Sequence, residues 1–270
     1  MSSSARLGMV AGITNARLAT AKRGIAVEIA TRLAVTANTP VCLIGADPTD
    51  RDVERHLPHL IDLWGKPAQM QITRGLHRLE VATFERSQVC VVSVSDRESV
   101  ELVMPTLQER FRFLIVDAPS RTGFGVGIAN VLLDWVDALV IATGLGAGEL
   151  AETRRYAERL DALPSGRRVD VRVLPIGDPE TSELAHGQIE WRLAPMPTIG
   201  HVPRLGGGVA KRAKVNDEQL EIAFRPIIRW ILEGQRRAHG SPVSEPDRAA
   251  QPAGPEEHVA NRLYRETFDA

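Results

Sequence analysis

Short apolar runs alternate along the chain with segments of helical periodicity. Seven runs rich in Val, Ile and Leu predict strands, at residues 7–13, 40–46, 89–94, 113–117, 138–143, 169–174 and 198–202. Apolar positions three or four residues apart predict helices from Thr20 to Leu33, at about 100–111, at 148–162 and at 220–231. The strands lack regular polar alternation, which is typical of strands buried on both faces. The pattern therefore predicts an α/β fold with a doubly wound, mostly parallel sheet and helices on both faces.

The pattern changes near the end of the chain. Pro226 is expected to kink the last core helix or to mark its start. After Gln235 the chain becomes rich in Ser, Ala, Gly, acidic residues and Pro, with prolines at 242, 246, 252 and 255. We therefore expect a globular domain at 1–235, a disordered linker at 236–255 and a short interaction helix at 256–270. The acidic residues of that helix favour docking on a protein groove over a membrane anchor.

Composition argues against some classes of protein but does not identify one. The formal net charge of −1 in 270 residues gives no overall attraction to nucleic acid or to an acidic membrane, so such binding would need a local patch. Cys42 and Cys90 each lie in an apolar run, which predicts buried, reduced thiols. No apolar run approaches the ~18 residues of a membrane span, and the N-terminus lacks the apolar core of a signal peptide. A cytoplasmic location is the resulting expectation.

The first predicted strand leads into a loop with the layout of a phosphate-binding loop, G-x-x-x-x-G-K-[ST]. In that loop, glycines let backbone N–H groups wrap the phosphates and the hydroxyl binds Mg²⁺. Here Lys22, at the expected start of a helix, takes the lysine position. Ala19 and Ala21 stand at glycine positions, and Arg23 stands in place of the hydroxyl. A solvated lysine in the first turn of a helix is the alternative interpretation.

Two carboxylates follow later strands. Asp47 comes directly after the strand at 40–46, and Asp117 ends the strand at 113–117. Ligands of open α/β sheets bind at the carboxyl ends of the strands, so both side chains are expected near the loop. Asp47 precedes a proline, so it would also suit a turn or a helix cap.

The order of these features resembles the ParA/MinD family of P-loop ATPases, which position chromosomes, plasmids and division machinery. The resemblance covers residues 8–233. The family loop K-G-G-V-G-K-T-T matches Arg17 to Gly24, with Arg17 at the signature lysine and Lys22 at the second one. The family's D-x-D-P matches Gly45 to Pro48 with its first Asp lost. The resemblance implies a catalytic Asp47, a Mg²⁺-binding Asp117 and a nucleotide-binding loop of Arg17, Leu18, Ala19, Thr20, Ala21, Lys22, Arg23 and Gly24.

The departures from the family motif predict a degenerate member, a pseudo-ATPase. Arg23 would place a cation near the metal, so we expect weak or Mg²⁺-independent ATP or ADP binding, or none, and little hydrolysis. The leading hypothesis is a homodimer that organises division, chromosomes or another apparatus through protein interactions. An active divergent ATPase that dimerises on nucleotide and a purely structural dimeric scaffold are the alternatives.

A basic cluster and the expected location complete these predictions. Lys211, Arg212 and Lys214 follow the glycines at 206–208. ParA-like proteins often bind DNA nonspecifically through such patches, although a solvated face is the alternative. The resemblance thus implies a protein peripheral to the membrane or the nucleoid.

Overall fold

The described strands form one eight-stranded sheet. The computed structural model describes residues 8–15, 24–46, 65–74, 77–84, 86–94, 97–118, 131–161, 169–178, 180, 182, 184, 186–194, 196–203 and 217–238. All of them belong to the first of two units into which the chain divides, residues 1–240. The strands run in the order β3-β4-β5-β2-β6-β1-β7-β8. Their bounds are β1 Met9–Asn15, β2 Val41–Gly45, β3 Pro67–Arg74, β4 His77–Phe84, β5 Ser87–Ser93, β6 Phe113–Asp117, β7 Ala138–Gly144 and β8 Asp170–Ile176.

Six of these strands form the parallel part of the sheet, as predicted. β5, β2, β6, β1, β7 and β8 pair with their neighbours in parallel. The predicted strands at 40–46, 89–94, 113–117, 138–143 and 169–174 each coincide with one of them to within two residues at either end. The first strand, predicted at 7–13, lies two residues later along the chain.

An antiparallel hairpin at one end of the sheet was not predicted. β3 pairs with β4, and β4 with β5, both antiparallel. Glutamines, arginines and a histidine interrupt the apolar residues of β3 and β4, so neither strand forms a continuous apolar run. Such polar interruption suits antiparallel strands, which do not need two buried faces.

The extended segment predicted at 198–202 lies beside β8 but forms only isolated bridges with it. Ile199 N–H donates to the Val173 carbonyl at 2.9 Å, and Val202 N–H donates to the Pro175 carbonyl at 3.0 Å. Pro175 has no N–H for the ladder bond that would fall between these two. The prediction was right about the extended backbone and wrong about a regular strand.

Helices cover both faces of the sheet. Their bounds are α1 Ile25–Ala37, α2 Arg97–Arg110, α3 Ala147–Asp161, α4 His186–Leu193 and α5 Asp217–Ala238. On one side, here called the first face, α1 and α5 pack on residues such as Ile13 and Ile115. On the opposite side, the second face, α2 and α3 pack on residues such as Leu114 and Val116. Alternate residues of β6 thus enter different cores, which confirms the doubly wound architecture.

The last described helix is longer than the sequence suggested. α5 runs through Pro226 and begins nine residues before it, so Pro226 does not mark its start. Pro226 is exposed, which leaves the main-chain carbonyl that lost its partner on the solvent side. α5 ends at Ala238, so its last three residues fall within the range predicted as a linker. The rest of that range and the helix predicted at 256–270 lie outside the described residues.

Candidate functional site

The carboxyl ends of the central parallel strands meet at one edge of the sheet. β1, β2, β6 and β7 end there at Asn15, Gly45, Asp117 and Gly144. Asp117 is the register partner of both Gly45 and Ile13, and Asn15 is the register partner of Ala142. This edge is where open α/β sheets bind ligands.

The connection from β1 to α1 begins and ends at this edge. Gly24 precedes α1 with a φ of 79°, which is left-handed, and no side chain caps the helix there. The helix cannot continue back through a residue with that φ, so α1 begins at Ile25, three positions after Lys22. The expectation that Lys22 opens the helix was therefore wrong. The first helical N–H groups belong to Ile25, Ala26 and Val27.

Of the residues predicted for the loop, the structure describes only Gly24. Arg17, Leu18, Ala19, Thr20, Ala21, Lys22 and Arg23 lie outside the described residues, as do Asp47, Lys211, Arg212 and Lys214. The structure does place Asn15 and Gly24 at the ends of the loop and Ala46 directly before Asp47.

Asp117 lies where the sequence placed it, at the carboxyl end of β6. Strand alternation puts its side chain on the first face, the side of α1, and the residue is 6% exposed. Its main chain joins three elements, because Ala46 N–H donates to the Asp117 carbonyl at 3.1 Å and the following Ala118 N–H donates to the Ile13 carbonyl at 2.9 Å. The carboxylate is therefore held close to the ends of β1 and β2.

Glu28, which the sequence patterns did not single out, lies in the first turn of α1. Its side chain is 10% exposed and lies 3.4 Å from Arg32 Nη2. Arg32 Nη1 also lies 2.6 Å from Glu221 on α5, and its guanidinium is 5.7 Å from the centre of the Phe224 ring. These contacts tie the start of α1 to α5.

A second carboxylate that the sequence did not indicate reaches the same edge. Glu149, in the first turn of α3, folds back over Gly144 at the end of β7. A Cβ atom at Gly144 would overlap its Oε2 and would lie 2.6 Å from its Cδ. β7 ends at Gly144 and α3 begins at Ala147, so only two residues separate the strand from the helix that carries Glu149. The sequence feature that could have pointed to Glu149 is an acidic residue at the start of a helix.

The described residues fit a phosphate better than a metal ion. An uncapped helix N-terminus beside the sheet edge offers backbone N–H groups and a positive dipole end to an anion. For Mg²⁺, Asp117 offers a carboxylate, yet in the part of the chain that is described no three His, Cys, Asp or Glu side chains converge as around a metal. Among the described helices, none is both long and apolar enough to cross a membrane.

Solved structures of one protein class share this fold. A chain of the MinC:MinD cell division protein complex from Aquifex aeolicus matches with a TM-score of 0.57 and 16% identity, over 89% of this chain and 99% of that one. MinD from Pyrococcus horikoshii OT3, complexed with Mg-ADP, matches with a TM-score of 0.59 and 12% identity, over 86% and 98%. A ParA family ATPase from Chlorobium tepidum TLS matches with a TM-score of 0.55 and 13% identity, over 84% and 98%.

The chain therefore has the fold of the ParA/MinD ATPases. No protein-family model matches its sequence, and no curated protein matches it either. The likeness thus lies in the architecture, at sequence identities of 12–16%.

Proposed function

We propose that this protein uses the ParA/MinD fold to organise cell division, DNA partition or another apparatus in space, and that it acts through protein interactions with weak or no ATP hydrolysis. The solved structures it resembles include MinD cell division proteins and a plasmid partition protein from Borrelia burgdorferi. The roles of these proteins in cell division and plasmid partition support positioning as the process. The degenerate loop sets this chain apart from an ordinary ATPase.

The observation that carries the loss of catalysis is the start of α1. A P-loop places its lysine and hydroxyl against the phosphates at the beginning of the helix. Here α1 begins only after the left-handed Gly24, three positions beyond Lys22, and its first turn carries Glu28 and no Lys, Ser or Thr. Arg23 also replaces the hydroxyl that would bind Mg²⁺. The helix N-terminus still attracts an anion, so we expect nucleotide binding to be reduced less than ATP hydrolysis.

Titration with nucleotide tests the proposal. ATP or ADP is added to the full chain with and without Mg²⁺, while calorimetry reports binding and light scattering reports the molar mass. We expect a Kd in the range of about 0.1 mM or weaker, with little dependence on Mg²⁺ and no phosphate release. Lys22→Ala should weaken any binding, whereas Lys66→Ala, at the lysine directly before β3, should leave it unchanged.

The active ATPase is a second candidate, favoured by the buried carboxylate of Asp117 at the carboxyl edge. It requires Mg²⁺-dependent turnover and dimerisation that disappear in Lys22→Ala, and in Asp47→Ala and Asp117→Asn as well. That result would overturn the degenerate interpretation. A mass that never responds to nucleotide would instead favour the structural dimeric scaffold.

The partner proposals need separate measurements. Cytoplasmic protein partners through residues 256–270 and nonspecific DNA through Lys211, Arg212 and Lys214 follow from the sequence. Replacing these three basic residues by Ala should reduce binding to a random DNA duplex and flatten its dependence on salt. Equal binding by the triple variant would remove DNA from the partners assigned to this patch.

A further inference from the structure

β3 is the outer strand at one end of the sheet, and no described strand pairs with its outer side. On its inner side it pairs with β4 over its whole length, from Pro67 to Arg74. The backbone groups of a paired strand alternate in direction, so every second residue of β3 turns its N–H and C=O away from β4. These outward groups are spaced to form hydrogen bonds with another extended chain.

β3 also lacks the features that commonly keep an outer strand from pairing. Proteins protect such strands with charged residues, especially Lys, with an internal Pro or with a bulge. Residues 68–73 include no charged residue, no Pro and no Gly. The pairing of β3 with β4 runs without a break in register, so no bulge turns the strand aside. A regular, uncharged outer strand of this kind favours the addition of a further strand.

The opposite end of the sheet is covered by the chain itself. Beside β8, Val173 N–H donates to the Pro197 carbonyl at 2.8 Å, and Ile199 N–H donates to the Val173 carbonyl at 2.9 Å. Val202 N–H donates to the Pro175 carbonyl at 3.0 Å. These bonds obstruct a head-to-tail contact in which β3 of one copy would join β8 of the next. Among the described strands β3 is the open one, so association between copies would join β3 to β3 about a two-fold axis.

We propose that β3 is a dimerisation strand, which pairs antiparallel with β3 of a second copy and joins the two sheets. Apolar and uncharged polar residues alternate along residues 68–73. A two-fold axis perpendicular to the sheet keeps the same face of both copies on one side, so apolar positions pair with apolar ones and polar positions with polar ones. β3 is therefore its own matching partner. The inference goes beyond the proposed function, because this pairing requires no nucleotide.

The charges near the two ends of β3 favour one register of this pairing. With Met70 on the two-fold axis, Arg74 of one copy would lie opposite Lys66 of the other. Like charges directly opposite each other on neighbouring strands are destabilising. With Gln71 on the axis, Arg74 lies opposite Ala68 instead, and this repulsion is avoided. The dimer is therefore expected to place Gln71 of one copy opposite Gln71 of the other.

A charge exchange at Gln71 tests both the surface and the register. Light scattering measures the molar mass of the full chain over a range of concentrations, without nucleotide. Gln71→Lys and Gln71→Glu each place two like charges opposite each other, so each alone should raise the Kd of the dimer about fivefold or more. An equal mixture of the two variants should form a mixed dimer and recover the Kd of the unmodified chain to within about threefold. Gln188→Lys and Gln188→Glu are the matched controls, because Gln188 is exposed on α4.

A cross-link gives a second measurement that does not depend on charge. Gln71→Cys should be joined to its counterpart in a second copy by a short bismaleimide, whereas Gln188→Cys should not. The native Cys42 and Cys90 are buried, so they should not compete for the reagent. Circular dichroism and the urea midpoint of each variant confirm that it is folded, and the cross-link decides if a charged variant is not.

The outcomes separate this inference from the proposed function. An unmodified chain that stays monomeric at every concentration overturns the inference, as does a dimer that responds equally to changes at Gln71 and Gln188. Weaker dimers of both charged variants without recovery in their mixture overturn the register centred on Gln71. Mg²⁺-dependent ATP turnover would overturn the proposed function and leave this inference standing, because the dimer is measured without nucleotide.

Discussion

At the scale of single residues, the two cysteines show how burial sets chemical behaviour. Cys42 and Cys90 are register partners on β2 and β5, and both are buried and free, which confirms the reduced core thiols predicted from the sequence. Burial raises the pKa of Cys42 well above its usual value, and the neighbouring Cys90 raises it further. Burial also raises the pKa of Cys90 to about 12. Both thiols therefore stay protonated in the folded protein at any ordinary pH.

These pKa shifts predict a loss of stability at alkaline pH. An unfolded cysteine releases its proton near pH 8.5, whereas folded Cys90 keeps it until about pH 12. The contribution of these protonated thiols to the free energy of unfolding is complete below about pH 8.5. It is lost as pH rises, by about 1.4 kcal/mol per pH unit for each cysteine. The free energy of unfolding, measured with urea from pH 8 to 10.5, should fall less steeply with pH in Cys90→Ala than in the unmodified chain. The difference in slope should correspond to about one proton, or about 1.4 kcal/mol per pH unit. Parallel curves would contradict the buried, protonated thiol.

Two glycines predict opposite effects of the same substitution. A Cβ at Gly8 would overlap the Phe111 carbonyl oxygen, which belongs to the main chain and cannot move aside cheaply, and would lie 2.9 Å from Leu114 Cδ1. A Cβ at Gly187, near the start of α4, would meet nothing within 4 Å. Gly8→Ala should cost about 1–3 kcal/mol of unfolding free energy, and Gly187→Ala should gain up to about 1 kcal/mol. Urea midpoints with unchanged m-values would measure both, and a neutral Gly8→Ala would disprove the close approach.

The two carboxylates at the candidate site differ in how far the sequence reveals them. Asp117 could be predicted because its position depends only on a buried strand and the residue that ends it. The position of Glu149 depends on a tight turn, on the missing side chain of Gly144 and on a rotamer that crosses the sheet edge. None of these leaves a periodic pattern, so the sequence showed only glycines near an acidic residue.

At the scale of elements, a chain of charges joins α1 to α5. Arg32 is 15% exposed, and it contacts Glu28 on its own helix and Glu221 on α5, whose side chains are 10% and 50% exposed. Arg32→Ala would take this guanidinium from a largely buried carboxylate and from the Phe224 ring. We expect a loss of about 2–4 kcal/mol, because a buried charge that loses its partner is costly.

Matched substitutions in the same chain distinguish burial from charge alone. Glu221→Ala should cost at most about 1 kcal/mol, because Glu221 is half exposed. Arg97→Ala removes a similar pair with Glu101 on α2, where both side chains are largely exposed, and should change stability by less than about 0.5 kcal/mol. Thermal and urea unfolding of the three variants would measure this order. Equal losses of stability in Arg32→Ala and Arg97→Ala would show that burial does not determine how much these ion pairs contribute to stability.

Two elements explain where the sequence patterns failed. The predicted helix began at Thr20, five residues before α1 begins at Ile25, because Gly24 fits the helical spacing until its φ is known to be 79°. The β3–β4 hairpin was missed because its residues are mixed in polarity and the apolar-run criterion selects only strands buried on both faces. Local backbone geometry and solvent exposure, both set by the fold, decided these cases.

At the scale of the whole molecule, the described sheet separates two large apolar cores. Val-, Ile- and Leu-rich strands predicted this arrangement correctly, because a parallel sheet must be covered on both faces. The order of the strands could not be predicted from the pattern, since β1 lies between β6 and β7, which follow each other along the chain. That order is what brings Asp117, Asn15 and Glu149 to one edge.

Both cores share the same strands, so we expect them to unfold together. Ile29 of α1 lies in the core of the first face and Ile141 of β7 in that of the second, and both are fully buried. Ile29→Val and Ile141→Val should each cost about 0.5–1.5 kcal/mol, and the double variant should equal their sum within about 0.5 kcal/mol. Trp230 reports on the first core and Trp135 packs against the second, so versions retaining one of them as the single tryptophan can follow each core in urea. Each valine variant should shift both tryptophan transitions equally. A shift seen by only one of them would mean that the faces unfold separately and that the sheet does not couple them.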